Sequence, residues 1–311
     1  MLVEVVRSDM VESRHRGRVV TLAADGGSAL SLGDVTEPIY GRSANKPLQA
    51  TAMVELGLRL PSKLLALVCA SHSGEPVHVA GVRRILVSAG LDEGYLQNTP
   101  DLPIDVESAR DVIRAGGDRR SILQNCSGKH AGMLATCKVN GWSLGDYLEV
   151  DHPLQRHITG TIERLSGERV AHIGVDGCGA PVHALSLFGL TRAFAAVASA
   201  PDGTAGAHVA AATRDHPDLM GGKGRDITAL IKGVPGLMAK DGAEGVLAGA
   251  MADGRAVGIK ITDGSRRGLA AVMLAALDLL GIDTRGADAL HRTPVLGGGR
   301  VVGEAHACPL G

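Results

Sequence analysis

Residues that favour β structure dominate the first part of the chain. They form three short segments, at residues 2–7, 18–23 and 29–32, and an Asp-Gly-Gly turn at residues 25–27 separates the last two. Successive side chains on a strand point to opposite faces, and Asp-Gly is a frequent hairpin turn. The pattern therefore predicts a β-meander at the start of the chain.

Apolar residues recur at helical spacing further along, and several of these segments open with a proline, which a helix tolerates in its first turn. The spacing predicts helices at residues 47–56, 61–70, 76–89, 106–114, 129–140 and 153–165, the last with Asp151 as its N-cap. In the second half, a strand at 169–175 and Ala-rich helices from 181 to about 213 are predicted to precede strands at 237–240, 245–251 and 256–261 and a helix at 267–280.

Strands at both ends of the chain with helices between them predict an α+β fold. We expect one antiparallel sheet formed by both termini, flanked by helices, with a helical lobe. No linker or repeat divides the chain, so we predict a single two-lobed domain: an α/β lobe at about residues 1–60 and 165–311, and a helical lobe at about residues 61–164. Strict β-α-β alternation is missing, which argues against a Rossmann fold.

Charge and composition narrow the choice of function. The 32 basic and 33 acidic side chains of the 311 residues leave a net charge of −1, which gives no electrostatic attraction to nucleic acid or to anionic lipid. The chain has 43 glycines but only 2% aromatic residues, so stacking platforms for bases or sugars can scarcely form. We expect a small-molecule substrate.

The sequence also carries information on location. The first ten residues lack the apolar region of a signal peptide, and the longest apolar stretches, such as residues 268–277, are shorter than the roughly 20 residues that span a membrane. Five scattered cysteines fit reduced thiols better than a disulfide framework. These features predict a cytoplasmic protein without membrane contact.

The first candidate for chemistry is the Ser-x-x-Lys pair Ser43 and Lys46, between a predicted strand and a predicted helix. Residues three apart on a first helical turn share a face, and Pro47 favours a tighter 3₁₀-like turn that aligns them further. A desolvated lysine can take the proton of a serine hydroxyl and so activate it as a nucleophile. The alternative is a serine that caps the helix beside a solvated lysine.

Two further candidates lie at helix junctions and strand ends. In the segment C-A-S-H-S-G-E, Ser71 offers a hydroxyl for proton relay, whereas Ser73 fits a helix cap, and His72 is either a general base or a structural group. Late in the chain, Lys240 and Gly242 form a Lys-x-Gly on a predicted strand, the element that follows Ser-x-x-Lys in penicillin-recognising serine enzymes. Lys260, on the next hairpin, competes with Lys240 for that role.

Two glycine-rich loops each carry a cysteine, Cys126 in N-C-S-G-K-H and Cys178 in D-G-C-G-A-P. Two thiolates from separate loops can chelate a soft divalent metal such as zinc, with Lys129, His130 or Asp176 as a further ligand. The spacing differs from the paired Cys-x-x-Cys of structural zinc sites, so two small buried thiols are the alternative.

Five motifs, in this order, resemble the asparaginase II family of rhizobial-type L-asparaginases: R-S-A-N-K-P, C-A-S-H-S-G-E, N-C-S-G-K-H-A-G-M, D-G-C-G-A-P and A-K-D-G-A-E-G-V. The resemblance implies a serine β-lactamase-like fold related to glutaminases, a homodimer, and hydrolysis of L-asparagine to L-aspartate and ammonia. It further implies one Ser-Lys pair of Ser43 and Lys46, a second of Ser71 and Lys240, and a zinc site of Cys126, Lys129 and Cys178.

Beside these elements, four residues are predicted to bind the substrate: Arg42, His72, Asp176 and Gly242. Two other classes of function remain open on the sequence alone. One is a different acyl-serine hydrolase, such as a peptidase, glutaminase or β-lactamase-like enzyme, which would share the Ser-x-x-Lys and Lys-x-Gly elements. The other is a non-catalytic protein that binds an amino acid.

Overall fold

The centre of the protein is a five-stranded antiparallel sheet that joins the two ends of the chain, in a computed structural model that describes residues 1–311. Its strands are, in spatial order, β4 (Ser28–Leu32), β3 (Gly17–Leu22), β10 (Ala256–Ile261), β9 (Val246–Ala250) and β8 (Met238–Gly242). Every residue of β8 and β9 is buried, so both faces of the sheet are covered on this side. The strand β8 forms one edge of the sheet.

Two smaller antiparallel sheets complete the β structure. One has the order β11 (Arg292–Gly297), β12 (Arg300–Ala307), β1 (Val3–Arg7) and β2 (Met10–His15), and the other β5 (Pro38–Tyr40), β7 (Pro181–Ser186) and β6 (His172–Val175). The α+β class and the sheet shared by both termini are confirmed, but the expectation of one sheet is wrong. The strand β1 pairs with β12, where Val5 faces Ala305, and not with the central sheet.

The first six helices lie close to their predicted positions: α1 (Lys46–Glu55), α2 (Ser62–Cys69), α3 (Pro76–Ser88), α4 (Val106–Arg114), α5 (Ser127–Asn140) and α6 (Pro153–Ser166). Five more follow: α7 (Leu187–Ala198), α8 (Ala205–Asp215), α9 (Pro217–Met220), α10 (Asp226–Gly233) and α11 (Leu269–Leu279). The N-cap of α6 is His152, whose side chain accepts the Leu154 amide hydrogen, and not Asp151. Helices α7 and α11 pack on the central sheet.

Helix α5 passes through the interior of the helical part of the molecule, where it packs on α1, α2 and α3. Its residues 127–137 are all buried. Gly128 permits the closest approach, because a Cβ atom there would lie 2.2 Å from the carbonyl oxygen of Leu67 on α2. This contact fixes the start of α5, which carries Lys129 and His130, against the end of α2.

Four strands were not predicted: β2, β7, β11 and β12. Strand β7 is buried at all six positions, so it has no alternation of polar and apolar residues, and its sequence was interpreted as the beginning of an Ala-rich helix. One hydrophobic cluster of 75 residues includes side chains from both predicted lobes. None of the helices combines the length and the apolar composition that crossing a membrane requires.

Candidate functional site

Ser43 lies in a 3₁₀ turn, residues Arg42–Asn45, that leads directly into α1. The amide of Lys46 donates to the carbonyl oxygen of Ser43, which closes this turn, as the sequence predicts. Arg42 has a φ of +50°, a conformation that costs a non-glycine residue about 1–3 kcal/mol and that persists where the surroundings impose it. Here, the Nδ2 atom of Asn45 donates to the carbonyl oxygen of His183 on β7 (3.0 Å) and anchors the turn.

Lys46 is completely buried beside this turn, and its Nζ atom has two hydrogen-bond acceptors. They are the carbonyl oxygen of Ala70 at 2.6 Å and the hydroxyl oxygen of Ser71 at 3.0 Å. The predicted partner was Ser43, which shares the turn but is not among the hydrogen-bond partners of Lys46. The lysine of the first predicted Ser-Lys pair therefore contacts the serine of the second pair.

The Lys-x-Gly element lies against the Ser43 turn, on the free edge of β8. A Cβ atom at Gly242 would be 2.8 Å from the carbonyl oxygen of Gly41 and 3.4 Å from the amide nitrogen of Ala44. Only a glycine lets the two backbones approach so closely. The strand edge and the Ser-x-x-Lys turn are thus neighbours, in the arrangement that the sequence predicts.

Lys240 is buried on the same strand, and its Nζ atom donates to the backbone oxygen and to the Oδ1 atom of Asp241, both at 2.6 Å. Burial lowers the pKa of Lys240 to about 8; the Asp241 carboxylate opposes this shift and the charge of Lys46 adds to it. The competing Lys260 is half-buried and donates to the carbonyl oxygen of Glu244. The charges of Lys240 and Lys46 act on each other, whereas Lys46 is not among the charges that act on Lys260.

Asp241 also accepts hydrogen bonds from two arginines at its Oδ2 atom, Arg225 (3.3 Å) and Arg266. Burial would raise the pKa of the Asp241 carboxyl, but the cations of Lys240, Arg266 and Arg225 lower it far below its usual range. A second nitrogen of Arg225 donates to the carbonyl oxygen of Ser71 at 3.4 Å. One carboxylate is therefore shared by three cations beside the two serines.

His72 is fully buried, and both of its ring nitrogens have partners. The amide of Gly74 donates to Nδ1 (3.1 Å), so Nε2 carries the hydrogen and donates to the Ser127 hydroxyl (2.9 Å). Burial lowers the pKa of His72 well below its usual value, and the stacked ring of His78 adds to this shift. This geometry favours the structural role over substrate binding.

The second serine of the same segment, Ser73, does not cap helix α3. Its hydroxyl donates to the carbonyl oxygen of Gly221 at 2.8 Å, and the N-cap residue is Glu75, which forms a capping box with His78. The expectation of a Ser73 cap is therefore wrong.

The two glycine-rich loops bring Cys126, Cys178 and Lys129 together, all of them buried. The Nζ atom of Lys129 donates to the Cys178 sulfur at 3.2 Å. The neighbouring Cys126 thiol and the charge of Lys129 lower the pKa of Cys178 far below its usual value, whereas contact with Cys178 and burial raise the pKa of Cys126. This arrangement favours a thiolate on Cys178 and a thiol on Cys126, whose sulfur donates to Oδ1 of Asn125 at 3.2 Å. Although burial opposes the charge of Lys129, the Cys178 thiolate raises the pKa of this lysine.

His130 lies beside these sulfur atoms. Its Nδ1 atom is 2.8 Å from the hydroxyl of Tyr147, whereas its buried Nε2 atom has no hydrogen-bond partner. Burial lowers the pKa of His130 to about 4. No three side chains of the His, Cys, Asp or Glu type form a group that could hold a metal ion, so any metal site here needs the lysine nitrogen or further ligands.

The Cys178 loop is tied to the Ser43 turn by an ion pair. The Nε atom of Arg42 donates to Oδ1 of Asp176 at 2.9 Å, and the same oxygen accepts the amide hydrogen of Gly177. The charge of Lys46 also acts on Cys126. The cysteine cluster and the serine-lysine site are therefore adjacent parts of one region, in which Arg42 and Asp176 form the connection.

A comparison with protein families identifies the family of the chain. The sequence model of L-asparaginase II matches residues 3–307, nearly the whole chain. The chain belongs to the L-asparaginase II family. It is accordingly an amidohydrolase of the asparaginase type, and the resemblance seen in the five motifs is confirmed.

Solved structures similar to this member of the L-asparaginase II family are distant. A β-lactamase from Mycobacterium bovis is 16% identical, with a TM-score of 0.43 over 88% of this chain and 93% of that chain. Mglu in its native form is 13% identical, with a TM-score of 0.43 over 91% of this chain and 65% of that chain. No curated protein matches the chain. The family assignment therefore rests on the family's sequence model.

Sequence reasoning missed three charged residues of the candidate site: Asp241, Arg225 and Arg266. Asp241 stands inside the A-K-D-G motif, so its position beside a candidate lysine was a usable signal. No sequence signal pointed to Arg225. It follows a glycine-rich loop, is 154 residues from Ser71 along the chain and reaches the site only through folding.

Proposed function

We propose that this chain hydrolyses the side-chain amide of L-asparagine to L-aspartate and ammonia, with Ser43 as the nucleophile and Lys46 as the base. The observation that supports this most strongly is the position of Lys46. Its buried Nζ atom shares a helical turn with Ser43 and forms a hydrogen bond of 3.0 Å with Ser71. A single lysine therefore contacts the Ser71 hydroxyl directly, and the proposed reaction requires its Nζ atom to reach the Ser43 hydroxyl as well.

In the proposed reaction, Nζ of Lys46 takes the hydroxyl proton of Ser43 while Oγ attacks the amide carbon. The proton then passes, with the Ser71 hydroxyl as relay, to the amide nitrogen, and ammonia leaves as the C–N bond breaks. Water attacks the resulting acyl-enzyme, restores the Ser43 hydroxyl and releases L-aspartate. Lys240, the second predicted lysine, acts as a cation beside this relay.

The substrate is proposed to lie along the free edge of β8. Gly242 brings this edge directly against the Ser43 turn, and backbone amides close to Ser43 would stabilise the oxyanion of the tetrahedral intermediate. Arg42 and Asp176 are proposed to orient the charged α-groups of the amino acid from the other side. His72 is excluded from this role, because both of its ring nitrogens are already engaged.

We further propose that Cys126, Cys178 and Lys129 hold a zinc ion. Sulfur and nitrogen donors suit zinc, and these three side chains supply two sulfur atoms and one nitrogen atom within one buried cluster. Binding requires that Lys129 give up its proton. When bound, zinc supplies a fixed positive charge next to the substrate pocket. A homodimer and a cytoplasmic location remain predictions from the sequence.

A coupled ammonia assay with L-asparagine, L-glutamine and a dipeptide tests the function. We expect release from L-asparagine, and loss of it in Ser43→Ala, whereas Ser13→Ala on the distant edge strand β2 retains it. Preferred cleavage of the dipeptide, or labelling of Ser43 by a β-lactam, would favour the other acyl-serine hydrolases. Binding of asparagine without ammonia release would indicate a non-catalytic binding protein.

Zinc content is measured separately, in protein purified without chelator. We expect about one zinc per chain, since the cluster offers one set of donors. A stoichiometry near zero in both native and zinc-soaked protein contradicts the zinc proposal and leaves the serine-lysine chemistry untouched.

A further inference from the structure

Next to the serine-lysine pair, the structure contains a charged network that the proposed reaction does not use. We propose that Asp241 is a positioning residue: it holds the Lys240 ammonium on β8 and, through Arg225, fixes the Ser71 segment, so that one carboxylate aligns the strand edge with the proton relay. This inference rests on the proposed function, because the alignment matters only if Ser71 and Lys240 serve the reaction.

Lys240 and Asp241 are in direct contact on β8. The Nζ atom of Lys240 donates at 2.6 Å to both the backbone oxygen and the Oδ1 atom of the next residue. Neighbouring side chains on a regular strand point to opposite faces, so a fully extended Lys240 side chain would point away from the side chain of Asp241. The carboxylate thus turns the ammonium back along the strand and keeps it at a fixed place.

Arg225 connects Asp241 to Ser71. Arg225 precedes helix α10, where one of its terminal nitrogens donates to Oδ2 of Asp241 (3.3 Å) and the other to the carbonyl oxygen of Ser71 (3.4 Å). The amide of Ser71 also donates to the carbonyl oxygen of Met220 at 3.1 Å. Ser71 is therefore held on its backbone by the Arg225 region and on its side chain by Lys46.

Asp241 is the one anion in this group of charges. Asp241 is contacted by Lys240, Arg225 and Arg266, and only 5% of its side chain is exposed. The groups whose charge acts on Lys240 are Asp241 itself, Lys46 on α1 and Arg225 before α10, of which only Asp241 is an anion. Loss of this one carboxylate would leave the buried Lys240 ammonium beside Lys46 and Arg225 without an anionic partner, which makes the ammonium form of Lys240 unfavourable.

The arginines provide a matched pair for the second half of the proposal. Arg225 and Arg266 both contact Oδ2 of Asp241, but only Arg225 reaches the backbone of Ser71. Replacing either removes one positive charge from the same carboxylate. Since the charge of Arg225, unlike that of Arg266, also acts on Lys240, the Lys240 titration in each variant reports the charge effect, and the remaining difference in kcat reports the contact with Ser71.

The experiment follows the ¹³Cε signal of Lys240 by NMR in full-length protein labelled on lysine, with Lys240→Arg used to assign the signal. In the wild type we expect a pKa of about 8, and in Asp241→Asn a value about one to three pH units lower. We also expect kcat to fall about 100-fold with little change in KM, and Asp241→Glu to restore part of it. An unchanged Lys240 titration in Asp241→Asn overturns the proposal.

If Asp241→Asn does not fold, the kcat values of the two arginine variants test the proposal instead. Arg225→Gln is expected to lower kcat at least about tenfold more than Arg266→Gln, because it also releases Ser71. Equal losses overturn the link to Ser71. The NMR result stands whether or not Ser43→Ala keeps its activity, so failure of the positioning role and failure of the proposed function are distinguishable.

Discussion

Two buried lysines of this protein lie in opposite electrostatic surroundings. Lys129 has the Cys178 sulfur at 3.2 Å, and the thiolate raises the pKa of the lysine although burial opposes its charge. Lys240 has Asp241 as a partner but lies among further cations, and burial lowers its pKa to about 8. Burial alone therefore does not determine the pKa of a lysine, because the charges of the neighbouring groups also shift it.

The comparison has a functional meaning. A lysine paired with a thiolate stays charged at every physiological pH and gives up its proton only to a competing metal. A lysine with a pKa near 8 can exchange protons close to neutral pH, which suits a residue beside a proton relay. The cysteine cluster is therefore suited to keep a fixed positive charge on Lys129, whereas Lys240 on β8 can gain and lose a proton near neutral pH.

The largest effect is expected at Lys46, whose charge acts on Lys240 as well as on Cys126. Replacing it by methionine keeps most of the volume but removes the base and the hydrogen bond to Ser71. We expect kcat for ammonia release to fall about 10³-fold or more. The control is Lys63→Met, an exposed lysine of α2, and a Lys46→Met enzyme with near-normal kcat would contradict the shared role of this lysine.

Breaking the thiolate partner should be the next largest effect. Cys178→Ser leaves Lys129 charged, buried and unpaired, which we expect to cost about 3–5 kcal/mol in the free energy of unfolding of metal-free protein. Cys137→Ser also buries a hydroxyl but breaks no ion pair, and should cost less. Urea unfolding of both variants measures the difference, and equal losses would argue against a thiolate–ammonium pair.

The lowered pKa of Lys240 predicts a pH dependence of stability. Between about pH 8 and the ordinary value of 10.5, the unfolded chain holds a proton that the folded protein has already lost. Folding is therefore favoured increasingly as the pH rises through this window, by up to about 1.4 kcal/mol per pH unit. Unfolding curves of wild type and Lys240→Met should diverge from pH 8 to 10.5 and not run parallel.

The smallest effect is expected at Lys260, the lysine that competes with Lys240 in the sequence. It donates to the carbonyl oxygen of Glu244 and forms no hydrogen bond with Ser43, Lys46, Ser71 or Lys240, although the charge of Arg42 acts on it. Lys260→Ala should change kcat/KM by no more than about twofold, as expected of a substitution away from buried features. A loss as large as that of Lys240→Ala in the same assay would contradict the choice of Lys240 over Lys260 as the late lysine of the site.

Local patterns were sufficient to predict part of this molecule. The 3₁₀ turn at Ser43, the helices around it and the Lys-x-Gly strand follow from spacing, from Pro47 and from Gly242. The partners of the charged groups do not, because Lys46 meets Ser71 and Arg225 meets Asp241 only after distant segments have packed together. Strand β7 was missed since a fully buried strand carries no alternation.

The most direct test of the central claim is to trap the covalent intermediate. Wild-type protein is mixed with L-asparagine, quenched with acid within the first turnovers, and its peptides are mapped by mass spectrometry. We expect an aspartyl ester on Ser43 in the wild type and none in Lys46→Met. An ester on Ser71, or a thioester on Cys178, would contradict the assignment of Ser43 as the nucleophile.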